Sequence, residues 1–244
     1  MSDLRAESPG APPADLLAVA EQLFGDRLRL AARYAELLVT DGVLRGLIGP
    51  REAPRVWDRH ILNCAVMVDL LPDGAYVADV GSGAGLPGIV LAVARPDLHL
   101  TLVEPLGRRA AFLSEAVSTL GLDARVRVLR GRAEECVSGA LSDSFAPADI
   151  VTARAVAPLD RLVGWCLPLA RVGGRLLALK GASAAGEIAE HALAVTRLGG
   201  GPPTIQRCGV GLVASPTTVV VVARERLVAP ARSGGRDGRR GRRR

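Results

Sequence analysis

An α/β fold is predicted here: an open, mainly parallel sheet with helices on both faces, behind a small N-terminal helical part. Three observations carry it. From Tyr76 onward, short Val/Leu/Ile runs alternate with amphipathic stretches of helix length, the texture of right-handed βαβ crossovers. Before that point apolar residues recur at helical spacing. Between the first strand-like run and the helix after it lies "DVGSGAGLPG" (79–88), with glycine at 81, 83 and 85.

Residues 1–14 are rich in Pro and Ala and are expected to be disordered. The helical part, 15–73, is read from "DLLAVAEQLFG" (15–25), "RLRLAARYAELLVTDG" (27–42) and "WDRHILNCAVMVDLL" (57–71), with Gly or Pro between them. The sheet domain, 74–228, is expected to place strands at 76–81, 98–104, 125–131, 148–154, 174–181 and 217–224, with a weaker one near 204–208. Helices are expected at 86–95, 107–121, 157–170 and 183–198. Residues 229–244 form an arginine-rich tail with almost nothing apolar to bury, so it too is expected to be disordered.

With 244 residues, 49% of them hydrophobic, the chain can bury a full core. No run approaches the ~18 apolar residues of a membrane span, and the N-terminus lacks the basic-then-apolar order of a secretory signal. A cytoplasmic monomer is the expectation. Cys64, Cys136, Cys166 and Cys208 lie far apart with no His at ligand spacing, which predicts reduced, buried thiols and no metal site. The net charge of +6 resides in the last thirteen residues, with seven Arg and one Asp, so the body is neutral. Such a tail attracts polyanions through counterion release, whereas the body can hold RNA only through a local patch. Of 31 basic residues only Lys180 is a lysine, which singles it out.

In an open α/β sheet the turn after the first strand is where a ligand sits. Gly81, Gly83 and Gly85 permit positive φ and remove side chains from its path, and Pro87 suits the first helical turn. Glu104, at the end of the second strand, is placed to accept both hydroxyls of a ribose. A nucleoside-containing cofactor follows. Dinucleotide sites require Gly-x-Gly-x-x-Gly, but the sixth position here is Leu86. Asp79 would repel a pyrophosphate but is able to pair, directly or through water, with a cationic methionyl group. S-adenosylmethionine is favoured over a dinucleotide.

Taken in order, "WDRHILNC" (57–64), "DVGSGAGLPGI", "VEPLGRRAAFL", "RAEE" (132–135), "ARAVAPL" (153–159) and "LLALKG" (176–181) resemble the bacterial 16S rRNA guanine-N7 methyltransferases. That family is also called small-subunit rRNA methyltransferase G or glucose-inhibited division protein B. The resemblance runs from about residue 20 to 225. It implies a class I S-adenosylmethionine-dependent, Rossmann-like methyltransferase domain and methyl transfer to N7 of one guanine in the decoding region of 16S rRNA. The implied partner is 16S rRNA or the small ribosomal subunit. By the same resemblance Gly81 and Leu86 line the cofactor loop, Ala133 and Glu134 hold the adenine, and Arg154 borders the methyl donor. Glu104 stands where many members have Asp, which keeps the ribose chemistry. The arginine tail departs from the pattern.

Guanine N7 loses no proton on methylation, so no general base is needed, and the sequence offers no obvious one. Arg reads guanine as a fork on O6 and N7 together, which would block the reaction. A point donor on O6 or a phosphate avoids this, and Lys180, closing the fifth strand, is the candidate. Arg154, ending the fourth strand, is the second catalytic candidate. Arg108 and Arg109 open a helix against its dipole, which hints at phosphate binding; Arg132 is grouped with them. Trp57, Ile61 and Cys64 share one helical face expected in the core, His60 shares it as a core or substrate-binding residue, and Asn63 is left without a role. The alternatives are a methyltransferase acting on a small molecule or protein, a dinucleotide oxidoreductase, and a non-catalytic RNA-binding module.

Overall fold

The structure is a computed structural model that describes residues 9–154 and 157–228. The arginine tail and residues 1–8 of the proline-rich start lie outside the described residues.

Helices α1 (Leu17–Phe24) and α2 (Leu28–Leu37) are joined by a 3-10 turn, and α2 runs into a π-helical turn at Leu38–Gly42. The expected helix over 57–71 is broken into three pieces: a π-helical turn (Trp57–Ile61), one α-turn, α3 (Leu62–Ala65), and a 3-10 turn (Val68–Leu70). Then follow β1 (Tyr76–Val80), α4 (Gly88–Ala94), β2 (His99–Val103), α5 (Gly107–Thr119), β3 (Val126–Leu129), α6 (Ala133–Ser138), β4 (Ala148–Arg154), α7 (Leu159–Cys166), β5 (Ala170–Lys180), α8 (Ala184–Arg197), β6 (Thr204–Cys208) and β7 (Thr217–Ala223). The sheet order is β3-β2-β1-β4-β5-β7-β6, parallel through β5, with β7 antiparallel to both of its neighbours.

Both sheet faces are covered, which is why the central strands are mainly apolar on both faces. Successive residues of a strand serve different cores: Val77 and Leu177 join one cluster, Ala78 and Leu176 the other. The first cluster includes the helical part. Phe24, Tyr34, Trp57 and Met67 pack with Ile89 and Leu91 of α4 and with Leu102 of β2. The helical part is thus built into the sheet's own core. Residues Gly88 to Val93 of α4 are all buried, because the helix is sandwiched between the sheet and α1–α3.

Two differences from expectation have simple causes. α6 lies outside the expected helices, because at six residues it is too short to show a helical period, and it is held by the Glu135 carboxylate accepting the Arg132 N–H at 2.8 Å. β5 begins at Ala170 rather than 174, across an irregularity at which the register against β4 shifts. The strand order reverses at β1 and β4, so the crevice beyond their carboxyl ends is the switch point where an open α/β sheet takes its ligand.

Candidate active site

The glycine loop is built from inside the protein. Gly81, Gly83 and Gly85 have φ of +68°, +58° and +97°, a left-handed region that only glycine adopts without strain. A Cβ on Gly85 would lie 2.5 Å from Ile89 Cδ1 and 2.9 Å from the Tyr34 hydroxyl. Asp79 is wholly buried below the loop: one carboxylate oxygen accepts the Thr152 hydroxyl of β4 at 2.8 Å, the other the Gly88 N–H at 3.1 Å. Asp79 therefore clamps β4 and the start of α4 together, and its reach toward a cationic ligand is reduced to the field of a buried carboxyl. Burial pushes that carboxyl up to about 6, against the hydrogen bonds from Thr152, Ser82 and Gly88 that favour its charged form.

A second support was invisible in the sequence. The Tyr34 hydroxyl, from α2, donates to the Ala84 carbonyl at 2.7 Å. Burial first, then the nearby Cys64 and Asp79, hold this phenol well above its ordinary range, so it stays a neutral donor. Replacing Tyr34 with Phe leaves the Ala84 carbonyl without its donor, an expected cost of about 1–3 kcal/mol. A lowered unfolding midpoint in urea together with weaker S-adenosylmethionine binding is the expected result; unchanged binding would show that the loop holds itself.

Glu104, 1% exposed, accepts the Gly83 N–H at 2.9 Å on one oxygen and the Leu106 N–H at 2.9 Å on the other. Each oxygen keeps a second acceptor position. Beside it is a cavity of about 260 Å³ lined by Val80, Gly81, Val103, Pro105, Gly131, Arg132, Ala133, Glu134 and Trp165. The lining is mostly apolar, with Glu134 as an acceptor near Ala133 at the start of α6. A slot of this make suits an adenine, and the carboxylate next to it suits a ribose, so these residues fit S-adenosylmethionine. Trp165 of α7 had no signal in the sequence, since a lone aromatic in an amphipathic helix reads as packing.

Arg154 ends β4 on the other side of the switch point. Its guanidinium contacts Nδ1 of His60 at 2.5 Å and the Cys64 sulfur at 3.3 Å, and among the described residues it makes no ion pair with a carboxylate. His60 and Cys64 are four residues apart, one helical turn, so both point the same way. Burial first, then the Arg154 charge, lower the His60 imidazole to about 4. It is neutral, and accepting from Arg154 through Nδ1 places its proton on Nε2, which lies 3.3 Å from Glu52 Oε2. His60 thus faces Arg154, and the two line one cleft, while Trp57, Ile61 and Cys64 are buried in the core.

Lys180 is 8% exposed at its side chain, and its ammonium donates to the Ala157 carbonyl at 2.6 Å and to Glu187 of α8 at 2.7 Å. The unusual lysine ties β5 to α8 and to the chain beyond β4; it is no solvated strand end. Arg132 is exposed and lines the cavity beside Glu104, whereas Arg108, exposed, and Arg109, half-buried, stand in the first turn of α5. Asn63 lines the opposite side, with Arg154 and Lys180. The four cysteines are buried and free, and among the described residues no group of three His, Cys, Asp or Glu is placed to hold a metal ion.

The family model described as rRNA small subunit methyltransferase G matches residues 27–211. The chain belongs to that family. The rRNA small subunit methyltransferase G of Salinispora tropica is 66% identical over 228 residues, covering 92% of this chain and 94% of its own. The one from Rhodococcus jostii is 57% identical, covering 88% and 93%. Among solved structures the chain is similar in fold to the S-adenosylmethionine-dependent methyltransferase SibL in its apo form, with TM-score 0.56 and 17% identity over 87% of this chain and 75% of that one. Within the methyltransferase G fold, the match spans most of the helical part, the glycine loop and the ends of β2, β4 and β5.

Proposed function

We propose that this chain transfers the methyl group of S-adenosylmethionine to N7 of one guanine in the decoding region of 16S rRNA. One observation beyond family membership supports this reading most: motifs scattered over residues 57–181 converge on the crevice beyond β1, β2, β4 and β5. S-adenosylmethionine supplies an electrophilic methyl on a sulfonium. The chain's contribution is to hold the reacting groups in line and exclude water, because N7 offers an in-plane lone pair and loses no proton. A neutral His60 engaged with Arg154 agrees with chemistry that needs no base.

In this reading Gly81, Gly83, Gly85 and Leu86 bring the backbone to the cofactor, and Glu104 takes the ribose hydroxyls. Ala133 and Glu134 take the adenine. Arg154 holds the amino-acid carboxylate, as a cation that makes no ion pair among the described residues. Lys180 has one N–H left beyond its two bonds and offers it to the target nucleotide, while Arg108, Arg109 and Arg132 take phosphates. An acceptor in the ribosomal small subunit supports a cytoplasmic setting, and no described helix is long and apolar enough to cross a membrane.

The deciding experiment is transfer of labelled methyl to small subunits from a strain lacking this gene. A single 7-methylguanosine in 16S rRNA is the expected product. Cofactor binding without transfer to rRNA would move the acceptor to a small molecule or protein. Within the site, Glu104→Gln turns an amide N–H2 toward the Gly83 or Leu106 N–H. Roughly tenfold weaker S-adenosylmethionine binding by calorimetry is expected, about 1.4 kcal/mol; equal binding would remove Glu104 from the ribose.

A further inference from the structure

Opposite the adenine slot two clefts meet. One, of about 820 Å³, runs between the helical part and the loop before β7, lined in part by Glu52, His60, Leu62 and Val213. The other, of about 550 Å³, runs along the ends of β5 and β7, past Lys180, Gly181 and Thr218. Asn63, Arg154 and Ser215 line both, so the clefts join at those three residues.

The ionic groups around this junction are largely satisfied. Arg59 pairs with Glu52 at 2.8 Å, Arg55 with Asp58 at 2.5 Å, and Lys180 with Glu187 at 2.7 Å. Arg207 is exposed at the rim. The Asn63 side chain, half-buried, makes no hydrogen bond in the described structure, although its backbone is fixed: its carbonyl accepts the Thr217 hydroxyl at 2.7 Å. Asn63 also precedes Cys64, whose sulfur touches Arg154, and it lies three residues from His60 on the same helical side. A free amide is therefore held beside the guanidinium that borders the methyl donor.

A neutral amide is the right kind of reader for this reaction. Adenine also carries a nucleophilic N7, so the base must be recognised without covering N7, which excludes the usual arginine fork. Guanine differs from adenine on its far edge, where it carries an N2 amine that an amide carbonyl accepts from. We infer that the guanine to be methylated seats at this junction and that Asn63 reads its N2 amine through the side-chain carbonyl. The inference rests on the proposed rRNA guanine-N7 reaction and adds the base-recognition site to it.

The test uses small subunits reconstituted with 16S rRNA carrying either guanine or inosine, which lacks the N2 amine, at the position methylated by the wild-type enzyme. Wild type is expected to lose about ten- to hundredfold in kcat/KM on inosine, the range of one base contact. Asn63→Ala should lose a similar factor on guanine and show an inosine penalty within about twofold, while Asn63→Asp, which keeps an acceptor, retains the penalty. S-adenosylmethionine affinity should stay within twofold of wild type in both variants. A wild-type inosine penalty absent, or equal in Asn63→Ala, would overturn the assignment while the rRNA reaction stands. No transfer by wild type to guanine-bearing subunits would instead overturn the reaction, and the assignment with it.

Discussion

Arg154→Gln is expected to lower kcat/KM for methyl transfer roughly 30- to 1,000-fold, the equivalent of about 2–4 kcal/mol for removing a charged donor from a desolvated site. The fold should survive, because among the described residues the Arg154 side chain bonds only His60 Nδ1 and the Cys64 sulfur, and a Gln amide can still donate to the imidazole. Arg154→Lys separates charge from shape: it restores the cation without the planar fork, so an intermediate rate is expected. Initial rates on small subunits, combined with calorimetric S-adenosylmethionine binding, decide the matter. A rate and an affinity both within threefold of wild type would reduce Arg154 to a residue that packs β4 against the helical part.

The sequence carried the parts of this site that are local. A glycine loop between a strand and a helix, and an acid one strand later, are separated by short stretches whose pattern is set by burial on both faces. The seven strands appear near the expected places because six of them, β1 to β5 and β7, contribute residues to both cores and so read as mainly apolar runs. What periodicity cannot carry is pairing. Nothing in "TTVVVVA" says that β7 inserts antiparallel between β5 and β6. The same limit applies to side chains: Tyr34 reaches Ala84 across 50 positions and Arg154 reaches His60 across 94. Asp79 and Lys180 were legible as unusual residues but not as engaged ones, since their partners Thr152 and Glu187 are ordinary residues in their own elements. The helical part shows why this matters for function. Its polar residues, Tyr34, His60 and Asn63, stand on faces that otherwise read as core, and each faces the loop or the crevice.

Asp79→Asn is expected to raise stability near neutral pH and weaken cofactor binding, two effects that a purely structural clamp would not couple. The sign follows from linkage. The folded carboxyl titrates at about 6 and the unfolded one near 3.8, so between those values the folded state binds more protons and wild-type stability falls as pH rises. Above about 6 the loss is complete, on the order of 3 kcal/mol at 1.36 kcal/mol per unit. Asparagine keeps a carbonyl for the Gly88 N–H and an amine for the Thr152 hydroxyl, which is able to accept, so the clamp persists without the charge. The difference in unfolding free energy between variant and wild type should therefore grow from pH 4 to pH 6 and then level off. His60 opposes Asp79 in the same window: its lowered value makes stability fall as pH drops from 6.5 toward 4. Comparing variant with wild type at each pH, with His60 present in both, isolates the Asp79 contribution. At pH 7 the variant loses the negative field beneath the glycine loop, and about tenfold weaker S-adenosylmethionine binding is expected. Stabilisation with unchanged affinity would reduce Asp79 to a clamp. Destabilisation at pH 7 would mean that its hydrogen bonds outweigh the cost of burying its charge.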